Sequence, residues 1–210
     1  MYFCAMKKIK NNELKNNFLR LIQKEVADFS KSISTAQGDW VVKGFIDIAK
    51  NIYTISIDTK VISKIMELLI FPSICAFAER NKFKIILSYV GHFVLGIIYT
   101  RSDDAADERK IYGLDDLQNI TSVVKDFNFF VQEKYKIAID RPGSGNTKNI
   151  GGVTNIEQLK NGDGPFAKLG EDVFNDYWMY YLTKDMAQAA ELPNPLYTNL
   201  KQYKEFKNIE

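Results

Sequence analysis

This chain of 210 residues has few cysteines, a single histidine and almost no net charge. Each of these features argues against a class of site. The two cysteines, Cys4 and Cys75, offer neither a disulfide framework nor the paired spacing of a zinc site, which is typical of proteins in a reducing cytoplasm. The single histidine, His92, lies in an apolar run and is predicted to be a core or groove residue rather than a catalyst. The net charge of +2 does not indicate nucleic acid binding, so any DNA-binding face must be a local patch.

A signal peptide and a membrane span are not predicted either. The start of the chain has its apolar residues before its basic ones, and too few of them for the apolar core of a signal peptide. The apolar stretch 83–99 is shorter than the ~20 residues that a span requires, and it contains Lys84 and His92. We therefore expect a short strand at 83–87 followed by a buried helix at 90–100, in a cytoplasmic protein.

The order of the predicted elements is typical of an α/β protein. Apolar positions at helical spacing predict an amphipathic helix over residues 11–33, which could support a dimer. Alternating apolar and polar residues over 40–57 predict a hairpin that turns at Lys50 and Asn51. Asp58 then stands where an N-cap is expected, before a helix that Pro72 interrupts or bends and whose predicted apolar face comprises Val61, Ile65, Leu68 and Leu69.

The second half of the chain continues this alternation. A polar run after Arg101 predicts a solvated loop, and residues 129–131 and 136–139 predict a second strand pair. A helix is expected over 171–182, before a looser tail broken by prolines. Two aromatic groups are interpreted as core packing, with base stacking as the alternative for the first: Phe127, Phe129, Phe130 and Tyr135, and then Tyr177, Trp178, Tyr180 and Tyr181.

The most informative segment is a glycine-spaced loop within residues 140–152, Asp-Arg-Pro-Gly-Ser-Gly-Asn-Thr-Lys-Asn-Ile-Gly-Gly. The carboxamide of Asn146 can meet both the N7 acceptor and the N6 donor of an adenine in the major groove. Thr147 offers a methyl group and a hydroxyl to neighbouring base edges. Gly143 and Gly145 have no side chain, so the backbone can approach the floor of the groove.

Two interpretations of this loop stay open on its residues alone. If the loop enters a groove of DNA, the ammonium group of Lys148 suits a phosphate. The alternative is a plain turn, because glycine, proline, serine and asparagine dominate turns in all proteins.

The nine residues 143–151 resemble the major-groove recognition loop of EcoRV-type type II restriction endonucleases. Residues 58–68, 91–101 and 174–178 resemble further segments of that family, so the resemblance extends from about Gly44 to Trp178. It implies an α/β fold, a restriction-endonuclease-like mixed sheet flanked by helices. It also implies a homodimer that binds a short palindromic site in double-stranded DNA, cleaves it with Mg²⁺, and has a cognate DNA methyltransferase as partner.

The resemblance assigns roles to individual residues. It gives base recognition to Gly143, Ser144, Gly145, Asn146, Thr147 and Lys148. It gives DNA backbone contacts to Thr59, Lys60 and Asn149. It places Glu67 close to the metal site and links it to catalysis. In the recognition loop, Lys148 replaces a smaller polar residue of the family, so the base preference can differ.

The chain departs from the family at the segment that carries the chemistry. The family uses a Pro-Asp followed by an Asp-x-Lys on neighbouring strands, and here no Pro-Asp occurs. Where those strands belong, the chain passes almost directly from Phe83 to His92, so we expect the central catalytic strands to be deleted. Two candidate acidic-x-Lys triplets, 13–15 and 58–60, belong to predicted helices. Asp58 is therefore either a helix cap or, with Glu67, part of a rebuilt metal site.

These observations predict one restriction-endonuclease-like domain over residues 1–210. Within it, 1–39 form an N-terminal helical region that is a candidate for dimerisation, 40–182 the core with recognition loop 141–152, and 183–210 a C-terminal tail. Three hypotheses about activity remain open. The chain is a Mg²⁺-dependent endonuclease, a catalytically inactive DNA-binding remnant, or a decayed gene product whose incomplete sheet exposes apolar surface and promotes aggregation.

Overall fold

A computed structural model describes residues 2–83, 91–143 and 150–209, with side chains from Asn12 onward. The chain forms two compact units. The first unit comprises Met1–Val90 and Leu95–Val131, and the second comprises Gly91–Val94 and Gln132–Glu210. Residues 183–210, predicted to be a separate tail, lie within the second unit.

Helices and short strands alternate along the described chain, which confirms the α/β class. The helices are α1 (Tyr2–Glu25), α2 (Thr59–Arg80), α3 (Lys134–Ile137), α4 (Ile156–Asn161), α5 (Glu171–Tyr180), α6 (Lys184–Ala189) and α7 (Leu200–Lys207). The strands are β1 (Gly44–Ile46), β2 (Ile52–Thr54), β3 (Phe93–Arg101), β4 (Ile111–Tyr112), β5 (Val124–Glu133), β6 (Ala138–Pro142) and β7 (Ile150–Gly152). The described strands form three small sheets, β1-β2-β4, β3-β5 and β6-β7.

The N-terminal helix begins earlier than predicted, and the end of the predicted helix is a separate 3-10 helix. Helix α1 begins at Tyr2, and the segment Val26–Ser32 after it is a 3-10 helix. Its predicted apolar positions face the core in part: Ile22 and Phe29 are buried and the ring of Phe18 meets the ring of Phe77 edge to face at 5.7 Å, whereas Leu14 is exposed. This packing occupies part of the apolar face of the helix that was a candidate for dimerisation. The dimer itself stays a prediction.

The predicted hairpin is present. Strands β1 and β2 pair antiparallel with Phe45 opposite Tyr53, and Lys50 in the turn adopts a left-handed conformation with φ of 66°. The carboxylate of Asp47 accepts hydrogen bonds from the N–H groups of Ala49 and Asn51, both at 2.9 Å. These bonds fix the turn, as aspartate commonly does in loops.

Helix α2 begins at the predicted cap and is not interrupted at Pro72. Its apolar face, however, was predicted wrongly in part. The buried positions are one turn apart, at Ile62, Met66 and Ile70, whereas Val61 and Leu68 are exposed. The predicted and observed buried faces differ by one residue around the helix axis. Because most of the circumference of this helix is apolar, its sequence does not show which face is buried.

Length and composition alone would allow α2 to cross a membrane. Core helices of soluble proteins meet the same two criteria, and Phe77 and Ala78 near its end are buried in the first unit.

The helix predicted over residues 90–100 is wrong, because strand β3 occupies most of this segment. The sequence predicted a buried helix over residues 90–100, but residues 93–101 form a strand in which no residue is fully buried. β-Branched and aromatic residues fill this segment, and they favour strands over helices. Residues 129–131 and 138–139 do lie in strands, β5 and β6, but β5 pairs with β3 and β6 with β7. The predicted pair does not form, and residues 136–137 are helical. The predicted strand at 83–87 lies outside the described residues except for Phe83.

The second unit has an aromatic core. Tyr177 of α5, predicted as a packing residue, is fully buried and lies among Phe166, Phe174, Tyr197 and Tyr203. The C-terminal segment that was predicted to be loose supplies two of these rings and forms helices α6 and α7. The predicted tail is therefore part of the core of this unit.

Candidate nucleic-acid interface

Strands β6 and β7 flank the glycine-spaced loop on its two sides. They pair antiparallel, with Ala138 opposite Gly152 and Pro142 opposite Ile150. Gly143 directly follows β6 and is partly buried. The other predicted base-reading residues, and Asn149, lie outside the described residues: Ser144, Gly145, Asn146, Thr147 and Lys148. The structure thus describes the stem of the loop.

The stem requires glycine at position 151. A Cβ atom there would lie 2.8 Å from the carbonyl oxygen of Arg141 and 2.9 Å from two side-chain carbons of Ile139. Both distances are shorter than the contacts that real Cβ atoms make, so β6 and β7 can approach closely only because residue 151 has no side chain.

A half-buried lysine lies beside the β7 end of the loop. The ammonium group of Lys134 donates a hydrogen bond of 3.4 Å to the carbonyl oxygen of Ile150. Burial lowers the pKa of this lysine below its ordinary value. The backbone N–H of Lys134 also donates to the carbonyl oxygen of His92 at 2.8 Å.

His92 is an exposed residue at the start of β3. Desolvation of its imidazole lowers the pKa of the ring, the positive charge of Lys134 lowers it further, and Glu171 acts in the opposite direction. Because the residue as a whole is exposed, the shift is weak support for a functional role.

The buried tyrosines of the second unit act as hydrogen-bond donors. The Tyr197 hydroxyl donates to the carbonyl oxygen of Tyr177 at 2.7 Å, and the Tyr203 hydroxyl donates to the carboxylate of Asp176 at 2.6 Å. Lys207 completes an ion pair with the same carboxylate at 2.8 Å. Burial raises the pKa of Tyr197 to about 12 and raises that of Tyr177 as well, so both hydroxyls keep their protons above the pH at which a free tyrosine ionises.

The two candidate catalytic residues lie apart on one helix of the first unit. The carboxylate of Asp58 accepts the N–H of Lys60 at 2.7 Å, which confirms its interpretation as a helix cap. Glu67 is exposed and pairs with the ammonium group of Lys64 at 2.9 Å. Nine residues of helix at 1.5 Å per residue separate them by ~13 Å along the axis.

These carboxylates do not fit a shared Mg²⁺ site, because such a site needs its oxygen ligands at about 2.0–2.1 Å from one ion. Among the described side chains, no three histidine, cysteine, aspartate or glutamate residues come together in a way that could hold a metal. The pairing of Asp58 with Glu67 is therefore not supported by their positions.

The residues predicted to contact the DNA backbone from the first unit, Thr59 and Lys60, are exposed in the first turn of α2. Their side chains are accessible to a ligand, as such a contact requires. Sequence reasoning assigned no role to Lys134, and Asp140 entered it only as the first residue of the loop segment. The signals were weak in both cases, because a charged residue next to a strand is usually solvated.

Comparison with known proteins gives the same family as the motifs. A model of the restriction endonuclease EcoRV family matches residues 36–89 and 85–208, together more than half of the chain. The type II restriction enzyme EcoRV of Escherichia coli is 34% identical over 117 residues, which are 55% of this chain and 45% of that enzyme. The aligned region thus spans less than half the length of that relative. The chain belongs to the EcoRV restriction endonuclease family.

Proposed function

We propose that this chain binds double-stranded DNA selectively, with loop 143–149 in the major groove, and does not cleave it. The observation that carries the proposal is the paired β6–β7 stem on both sides of a loop whose sequence resembles the family's reader of base edges. Base-edge readout in the major groove distinguishes all four base pairs, so such a loop suffices for selectivity without any metal.

In this proposal the bound site is short and palindromic, because a homodimer presents two copies of the loop related by a two-fold axis. The family is generally Mg²⁺-dependent, but Asp58 and Glu67 are too far apart to share an ion, and no step of hydrolysis is assigned to them. Cleavage would also require the family's metal-binding strands, and the two family matches overlap at residues 85–89, where those strands are expected.

A selection from a random duplex library tests the proposal. The purified chain is incubated with the library in chelator, and bound duplexes are amplified and sequenced. We expect enrichment of one short palindrome, with the same motif when Mg²⁺ replaces the chelator. A library that stays random after repeated rounds, with a folded and monodisperse protein, would refute selective binding.

Mg²⁺-dependent cleavage is the second candidate, and membership of an endonuclease family favours it. In that case Glu67 would act with carboxylates other than Asp58, and a cognate DNA methyltransferase would protect the same site. A decayed product is the third candidate. It is favoured by the apolar strand β3, in which no residue is fully buried, and it predicts aggregation of the purified chain.

A further inference from the structure

Strand β6 contains an irregularity immediately before the loop. Ala138 pairs with Gly152 and Pro142 pairs with Ile150, so three residues of β6 lie opposite the single residue Gly151. Extra residues of this kind are left out of the ladder of backbone hydrogen bonds. Asp140 is the middle one of the three, and its backbone groups need partners elsewhere.

The partners of Asp140 come from two helices of the same unit. The hydroxyl of Tyr177 in α5 donates to the carbonyl oxygen of Asp140 at 2.6 Å. The backbone N–H of Leu200, the first residue of α7, donates to the Asp140 carboxylate at 2.9 Å. The first N–H groups of a helix have no partner within it, so this carboxylate satisfies one of them. Asp140 thus joins the irregular part of β6 to both helices.

The helices that hold Asp140 are themselves fixed. The ring of Tyr177 is fully buried and lies 5.1 Å from the ring of Tyr197 and 5.2 Å from that of Tyr203. The Tyr197 hydroxyl also bonds to the backbone of Tyr177. A buried aromatic side chain in such packing has little freedom, so the position of its hydroxyl is set by the core and not by solvent.

The β7 side of the stem has its own contact. Lys134 bonds to the carbonyl oxygen of Ile150, the first residue of β7. Both strands that enter and leave the loop are therefore held by other residues of the second unit, through hydrogen bonds that lie outside their own ladder.

We propose that Asp140 is a positioning residue, which fixes the direction in which β6 delivers the loop by linking the irregular stem to Tyr177 and to the start of α7. The inference rests on the proposed function of the loop, but the attachment itself can be measured without DNA. Loss of this link should loosen the stem while leaving the rest of the unit folded.

Hydrogen exchange of the full chain provides the first measurement. We compare wild type with Asp140→Ala, Asp140→Asn and Tyr177→Phe, and use Asp185→Ala on the exposed side of α6 and Tyr180→Phe as controls. Asparagine keeps an oxygen acceptor for the N–H of Leu200. Exchange at residues 138–141 and 150–152 should rise about tenfold in Asp140→Ala and Tyr177→Phe, the scale expected from one or two lost buried hydrogen bonds. Asp140→Asn and the controls should stay within about twofold of wild type.

The second measurement uses the duplex enriched by wild type in the selection described above. In Asp140→Ala the ratio of affinity for that duplex over a scrambled one should fall about tenfold or more, with unchanged affinity for the scrambled duplex. Asp140→Asn should restore the ratio. A purely structural role would instead reduce both affinities together with the melting temperature.

The outcomes separate the two claims. Unchanged exchange in both Asp140→Ala and Tyr177→Phe would overturn the positioning role, whatever the DNA result. Faster exchange that is confined to the stem and reversed in Asp140→Asn supports it. Should wild type enrich no sequence, the proposed DNA reading fails, while the exchange result still decides whether Asp140 holds the stem. If Asp140→Ala does not fold, Tyr177→Phe, which keeps the ring, provides the same test.

Discussion

The ring of Phe130 in β5 lies where a side chain at position 96 of β3 would have to be. A Cβ atom on residue 96, which is Gly96 here, would overlap two carbons of that ring. Aromatic packing across a strand pair therefore depends on the absence of a side chain at this position, as at other sites of close approach in sheets.

The first prediction follows from this contact. Gly96→Ala should destabilise the protein by about 1–3 kcal/mol, because the added methyl group forces the Phe130 ring and the strand apart. The measurement is urea unfolding followed by fluorescence. Gly113→Ala is the control, since a Cβ atom there would meet only a side-chain oxygen of Asp116, at 3.8 Å. Equal stability of Gly96→Ala and wild type would show that β3 and β5 do not pack in this way.

A second prediction concerns alkaline pH. The pKa of Tyr197 is raised to about 12 by burial, from an ordinary value of 10.0. Above pH 10 the unfolded chain releases this proton while the folded chain retains it. The contribution of the Tyr197 hydroxyl to the free energy of unfolding is therefore complete below pH 10 and is lost as the pH rises from 10 to about 12.

Tyr197→Phe should consequently flatten the decline of melting temperature above pH 10, although it lowers stability at neutral pH by removing the bond to Tyr177. Tyr99→Phe, in strand β3 of the first unit, is the control and should keep the wild-type slope. Absorbance at 295 nm checks the ionisation directly. A slope in Tyr197→Phe as steep as in wild type would contradict the account of burial.

Some parts of this fold could be predicted from the sequence because their signals are local. The hairpin with its turn at Lys50 and the cap at Asp58 depend on residues a few positions apart, and both are present. Strand β3 was predicted wrongly because a short apolar run has no period that separates a buried helix from a strand, and its partner β5 is distant in sequence.

The candidate site shows the same division. The loop residues could be singled out from their chemistry and from the resemblance, since they are consecutive. The link from Asp140 to Leu200 joins residues 60 positions apart, and no local pattern predicts it. The tail was predicted to be loose because its two prolines stand out in sequence, whereas its ordering comes from tyrosines that pack only in the folded unit.

The third prediction is that Asn146→Ala weakens discrimination at one base pair. Loss of a bidentate carboxamide contact to adenine should cost about 1–3 kcal/mol at that position and leave preference at the other positions intact. A repeated selection with the variant measures this. An unchanged motif would refute base reading by Asn146.

The fourth prediction concerns Lys148. Its replacement by alanine should weaken binding to all duplexes alike and reduce the slope of log K against log salt by about 1, because one phosphate contact is lost. Binding titrations from low to moderate salt give the slope. Lys168→Ala, at an exposed lysine elsewhere in the second unit, is the control. A slope identical to that of wild type would exclude the phosphate contact.

The most direct test of binding without cleavage uses supercoiled plasmid that carries the selected palindrome. The purified chain is incubated with it in Mg²⁺ and in chelator, and binding is measured in the same samples. We predict binding in both conditions and uncut plasmid in both. Discrete fragments that form only in Mg²⁺, and that disappear in Glu67→Gln, would contradict the account and establish a working metal site.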